Sequence, residues 1–98
     1  MFKPNYFANI IKNNLIDGKS SKKRDGILVE YALNTHFISK NVINSYEREG
    51  IYLWVSDDLV ISVNTINSNN YNGIDLFYSS FNTVTGNLIN YNNLKYVF

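Results

Sequence analysis

With 98 residues, no cysteine and a formal net charge of +1, the chain reads as one domain or a piece of one, without disulfides or thiolate metal sites. The near-neutral charge argues against nucleic acid or an anionic membrane as partner, because both select clustered positive charge. Aliphatic and aromatic residues are frequent enough to exclude disorder, and no run approaches the roughly 18 apolar residues that cross a bilayer.

The N-terminal stretch carries one early lysine, Lys3, but Asn5 and Asn9 interrupt the apolar core that a signal peptide needs, so no export signal is read there. Asn14-Leu15-Ile16-Asp17 then opens a motif that Gly26-Ile27-Leu28-Val29 completes. The motif returns 27 residues later as Asn41-Val42-Ile43-Asn44 with Gly50-Ile51-Tyr52-Leu53. Steps of 23 residues give Asn64-Thr65-Ile66-Asn67 with Gly73-Ile74-Asp75-Leu76, and then Asn87-Leu88-Ile89-Asn90. The longer first interval places an insertion loop at 18–25, with Gly18, Ser20 and Ser21. The basic residues Lys19, Lys22, Lys23 and Arg24 fall in that loop and read as solvated rather than as a binding patch.

Between the repeats, Ile51-Tyr52-Leu53-Trp54-Val55 and Ile74-Asp75-Leu76-Phe77-Tyr78 alternate with the period of half-buried strands. No window sustains a helical stripe. Asparagine accounts for 17 residues and proline for one, which suits a chain that turns often, since Asn tolerates left-handed backbone and bonds to neighbouring peptide groups. Aligning the copies produces four aliphatic columns: Ile11, Ile38, Ile61, Val84; Ile16, Ile43, Ile66, Ile89; Ile27, Ile51, Ile74, Val97; and Val29, Leu53, Leu76. Short strands whose equivalent residues recur in one sense predict stacked coils. The fold class is therefore all-β, a right-handed single-stranded parallel β-helix of about 3.5 coils of 23–24 residues. Residues 1–98 are expected to form one segment of a longer solenoid, because the fourth coil stops at Tyr96-Val97-Phe98, where a further Gly-Ile is due.

The run Gly-Ile-x-Leu-x-x-Ser at 50–56 and 73–79, with Asn82-Thr83-Val84-Thr85-Gly86-Asn87-Leu88-Ile89, resembles the right-handed parallel β-helix repeats of the pectate-lyase-like superfamily. That group includes NosD-like copper-maturation proteins and carbohydrate-binding or sugar-hydrolysing modules. The resemblance implies the fold, and it implies that Asn14, Asn41, Asn64 and Asn87 form a structural ladder bonded between coils. It carries over no catalytic residue. The family's hydrolases use Asp-Asp and Gly-His-Gly elements, whereas His36 stands between Thr35 and Phe37 and Arg48 between Glu47 and Glu49. Copper chemistry calls for His or Met donors, and one histidine with an initiator Met is too few. No metal and no cofactor are expected.

Strand alternation turns Leu28, Tyr52, Asp75 and Phe98 outward in one column and Glu30, Trp54 and Phe77 in the next. The candidate carbohydrate-binding residues are Tyr52, Trp54, Asp75 and Phe77, rings on which a sugar face stacks and an acid that accepts hydroxyl hydrogen bonds. Packing between coils is the competing account of the same aromatics. Glu30 and Asp75 lie about 12 Å apart by strand spacing, too far to act as a pair of sugar-cleaving carboxylates. Asp57 and Asp58 read as solvated turn acids. The leading expectation is a non-catalytic module of a surface or exported protein that contacts a polysaccharide or glycan and associates with itself through open coil ends. The alternative is a fragment of a polysaccharide lyase, epimerase or hydrolase whose catalytic coils lie outside the segment.

Overall fold

The computed structural model describes residues 9–18, 25–32, 35–44, 46–67 and 69–90, and the backbone of 94–97. Within them the chain is a β-solenoid. Twelve short strands follow one another: β1 (Ile10–Lys12), β2 (Leu15–Asp17), β3 (Ile27–Glu30), β4 (Phe37–Ser39), β5 (Val42–Asn44), β6 (Ile51–Trp54), β7 (Val60–Ser62), β8 (Thr65–Asn67), β9 (Asn72–Phe77), β10 (Thr83–Thr85), β11 (Leu88–Asn90) and β12 (Leu94–Val97). Every third strand stacks on its predecessor, giving three parallel four-stranded sheets ordered β1-β4-β7-β10, β2-β5-β8-β11 and β3-β6-β9-β12.

The columns follow from this register. Ile11, Ile38, Ile61 and Val84 pair in succession on the first sheet, and Ile16, Ile43, Ile66 and Ile89 on the second. On the third, Ile27, Ile51 and Ile74 pair, as do Val29, Leu53 and Leu76. Members in the middle coils, such as Ile43, Ile51, Leu53, Ile61, Ile66 and Ile74, are 0% exposed, while Ile11, Ile16, Val29 and Val84 near the ends are only partly buried. Burial of β-branched side chains on a pleated surface favours strands here despite their shortness.

One column differs from the alignment. Tyr96, not Val97, pairs with Ile74, and Val97, not Phe98, pairs with Asp75. The interval is 23 residues at Asn67↔Asn90 and 22 at Ile74↔Tyr96, so the last turn is one residue shorter than the turn beneath it. Phe98 lies outside the described residues. In the first coil the interval falls from 27 at Asp17↔Asn44 to 24 at Ile27↔Ile51, and it holds at 23 from Phe37↔Val60 to Asn67↔Asn90. Residues 19–24, including the basic run, lie outside the described residues.

The corners use left-handed backbone in columns. Asn13, Lys40, Val63 and Gly86 end the strands of the first sheet at φ 60, 56, 57 and 66°, and Tyr31, Val55 and Tyr78 end those of the third at φ 54, 52 and 47°. Glycine at the entrance to the third sheet has a different cause. A Cβ on Gly50 would collide with Ile66 Cγ2 and stand 2.7 Å from the Gly73 carbonyl, so the coil packs directly on the backbone of the next.

Asn14, Asn41, Asn64 and Asn87 occupy the corner between the first and second sheets. Asn41 Oδ1 accepts the Asn14 N–H and Nδ2–H at 3.0 and 3.1 Å. Asn64 Oδ1 accepts the same pair from Asn41 at 3.0 Å each, and Asn87 Oδ1 accepts the pair from Asn64 at 2.9 Å. Each Nδ2 also reaches back across a coil, from Asn41 to Ile11 O, from Asn64 to Ile38 O and from Asn87 to Ile61 O. For Asn41 and Asn64, both amide protons and both oxygen lone pairs are used, which is the condition under which a buried amide is tolerated. Ser56 and Ser79, Asn69, and Asn82 accept the N–H of the preceding coil in other turns.

Candidate functional site on the third sheet

The outer face of the third sheet carries the chain's mixture of rings and charge. Register places Leu28, Tyr52 and Asp75 in one column and Glu30, Trp54 and Phe77 in the next. Because Ile51 and Leu53 are buried, Tyr52 and Trp54 project outward, and both are half-buried rather than free. They line a groove of about 530 Å³ with Asp25, Leu28, Glu30 and Arg48. Its wall combines apolar faces with three charged groups, the composition of a site that orients a polar ligand by a few hydrogen bonds.

Two ring pairs flank the groove. Tyr31 leans on Trp54 with centroids 5.4 Å apart and planes 47° apart. Phe77 meets Tyr78 edge to face at 4.5 Å, and both are exposed. The candidate residues are thus divided by the fold. Tyr52 and Trp54 face the groove, whereas Phe77 belongs to the ring pair above Trp54.

Asp75 turns toward the turn at 46–50. Its Oδ1 is buried with no hydrogen-bond partner. Burial raises the pKa of Asp75 and of Glu49, desolvation being the largest cause for both, with Arg48 acting in the opposite direction. Tyr52 is raised as well, first by desolvation and then by the negative field of Asp75.

Asp25, Arg48 and Glu49 are functional candidates that strand alternation alone does not reach, since they sit in turns. A signal for two of them exists in the repeat. Asp25 precedes Gly26 as Glu49 precedes Gly50 and Asn72 precedes Gly73, and this column is bonded in sequence: the Glu49 N–H donates to Asp25 Oδ1 at 3.2 Å and the Asn72 N–H to Glu49 Oε2 at 3.0 Å. Arg48 is fixed by its guanidinium, which lies 5.6 Å from the Tyr71 ring centroid.

The remaining sequence candidates lie elsewhere. His36 sits before β4, and its Nδ1 accepts the Asn9 N–H at 2.9 Å. Asp57 Oδ1 accepts the Ser80 N–H at 2.7 Å, a bond between successive coils.

All of residues 1–98 match the family model described as NosD, periplasmic copper-binding protein. No curated protein and no solved structure matches the chain. Among the described residues no group of three or more His, Cys, Asp or Glu is placed to hold a metal, and the His36 imidazole is engaged at Nδ1. The stacked register and the family match converge, and the chain belongs to the NosD family of parallel β-helix repeat proteins.

Proposed function

We propose that the chain is a non-catalytic β-helix module of an exported protein, in keeping with the periplasmic description of its family, and that the outer face of its third sheet contacts glycans. The observation that carries the reading is the groove in which the Tyr52 and Trp54 rings meet Asp25, Glu30 and Arg48. Pyranose C–H faces stack on the rings, and the two carboxylates and the guanidinium hydrogen-bond the hydroxyls. Half-burial of both rings leaves few groups fully desolvated on binding, so affinity is modest.

Trp54 is the chain's one tryptophan and reports on the groove directly. Titration of its emission with neutral and acidic oligosaccharides is expected to give a saturable change with at least one of them, and Tyr52→Ala to weaken it. Emission that no glycan alters would refute the reading.

Self-association follows from the same architecture. Among the described strands, β1, β2 and β3 and β10, β11 and β12 are outermost in their sheets, and unpaired strand edges template further pairing. Sedimentation should show an average mass that rises with concentration, and a strictly monomeric chain at high concentration would contradict it.

A further inference from the structure

The Asn ladder has a direction. At each step one asparagine donates its backbone N–H and an Nδ2–H, and the Oδ1 of the asparagine one coil later accepts both: Asn14 to Asn41, Asn41 to Asn64, Asn64 to Asn87. Among the described residues, nothing accepts from the Asn87 N–H and nothing donates to Asn14 Oδ1, while Asn87 Nδ2 gives one of its two protons to Ile61 O. The ladder therefore ends in donors on one side and in an acceptor on the other.

Backbone bonds at the same corner alternate in a fixed sense. The N–H groups of Asn13, Lys40 and Val63 donate to the carbonyls of Ser39, Ser62 and Thr85 in the coil that follows, and those of Val42, Thr65 and Leu88 donate to Asn14, Asn41 and Asn64 in the coil before. The next members of these two series are the Gly86 N–H and the Asn87 carbonyl at one end of the stack, and the Lys12 carbonyl and the Leu15 N–H at the other. Each end holds the complement of what the other lacks. Spacing agrees as well, because Val84 and Ile89 stand the same five residues apart as Ile11 and Ile16, the outer members of the first two aliphatic columns. Ile11, Ile16 and Val84 are only partly buried, and Leu15 and Leu88, which share an outward column, are 72% and 57% exposed.

We propose that copies of this chain join end to end along the solenoid axis, β1 and β2 of one copy pairing in register with β10 and β11 of another, so that Asn87 of one donates to Asn14 Oδ1 of the next. This join rests on the reading that the chain associates with itself, and it fixes which surfaces meet. Val84 then lies on Ile11 of the second copy, Ile89 on Ile16 and Leu88 on Leu15, which takes out of water the apolar groups that the single chain leaves partly open. The two surfaces differ, so the contact is heterologous and does not close. Every join leaves one end of each kind, and assembly continues into a filament.

The test is sedimentation velocity of the full chain across a range of concentrations, beside two double variants at Leu15 and Leu88, positions exposed enough to tolerate charge in the single chain. The wild type is expected to give a series of species that lengthens with concentration. Leu15→Lys with Leu88→Lys sets like charges opposite each other at every join and should raise the concentration at which assembly sets in by about tenfold or more. Leu15→Glu with Leu88→Lys sets opposite charges there and should assemble as the wild type does, and matching circular dichroism of the three chains shows that each coil is intact. A wild-type chain that stays monomeric would overturn self-association and the join together. Assembly that stops at a dimer, assembly of the Lys/Lys variant equal to wild type, or a folded Glu/Lys variant that does not assemble would leave self-association standing and overturn this join.

Discussion

Asn64→Ala is the sharpest probe of what holds the coils together. Its side chain accepts the Asn41 N–H and Nδ2–H and donates to Ile38 O and Asn87 Oδ1. Alanine leaves the Asn41 N–H and one Asn41 Nδ2–H without partners at sites from which water is excluded, since both bonds are buried in the intact ladder. Each buried orphan costs about 1–3 kcal/mol, so the substitution should cost about 3–6 kcal/mol once the two disrupted amide contacts are included. Against a typical domain stability of about 5–15 kcal/mol this is a large share. Asn14→Ala is the internal control. Asn14 is exposed at the first coil, and its side chain donates to Asn41 Oδ1, so about 0.5–1.5 kcal/mol is expected. Urea denaturation of the two variants, read at equal slope, measures the difference directly. Penalties within 1 kcal/mol of each other would show that the ladder does not carry its energy in the buried middle rungs and would refute the reasoning.

Val63 holds a β-branched side chain at φ 57° while it is 56% exposed, and Asn13 and Gly86 serve at the equivalent corners. Val63→Asn should therefore stabilise by about 1 kcal/mol, seen as a higher denaturation midpoint, and a loss would mean that Val63 packs more than its exposure indicates. Gly50→Ala, whose Cβ meets Ile66 and the Gly73 carbonyl, should cost about 1–3 kcal/mol; a neutral result would place the coils further apart than described. Glu49 and Asp75 have folded pKa values raised above their unfolded ones, so the folded chain binds these protons more tightly. Their contribution is full below the unfolded carboxyl range and is lost as pH rises through the folded values. Melting temperatures across that window should fall more steeply for the wild type than for Glu49→Gln, and parallel curves would count against it.

Legibility in the sequence tracks what the solenoid repeats. The aliphatic columns are visible because each inward residue stacks on its equivalent, so Ile43, Ile66 and Ile89 must all satisfy the same packing. The slip of Tyr96 onto Ile74 is invisible because a turn one residue shorter leaves no trace in an alignment that has only one partial copy beyond it. Left-handed corners are normally announced by Gly or Asn, and here Lys40, Val55 and Tyr78 occupy them. At these corners position in the coil overrides residue preference. Glu49 misleads for another reason. Glu47-Arg48-Glu49 has the look of a solvated turn, but Glu49 alone points into the stack, where Asp25 and Asn72 supply a column that only the residue before each glycine reveals.

The same distinction separates the scaffold from the site. Inward positions of the third sheet hold Ile27, Ile51 and Ile74 and then Val29, Leu53 and Leu76, with almost no change from coil to coil. Their outward neighbours change at every step, from Leu28 to Tyr52 to Asp75 and from Glu30 to Trp54 to Phe77. A sheet stabilised from within places little demand on its outer face, so that face is free to differ between coils. The groove uses this freedom. Tyr52 and Trp54 come from β6, Leu28 and Glu30 from β3, Asp25 and Arg48 from the turns that enter those strands, and no other coil offers that combination. A ligand that recognises this chain must read the non-repeating residues, and exchanging the outward residues of β6 for those of β9 would leave the solenoid's core untouched while removing the Tyr52 and Trp54 rings from the groove.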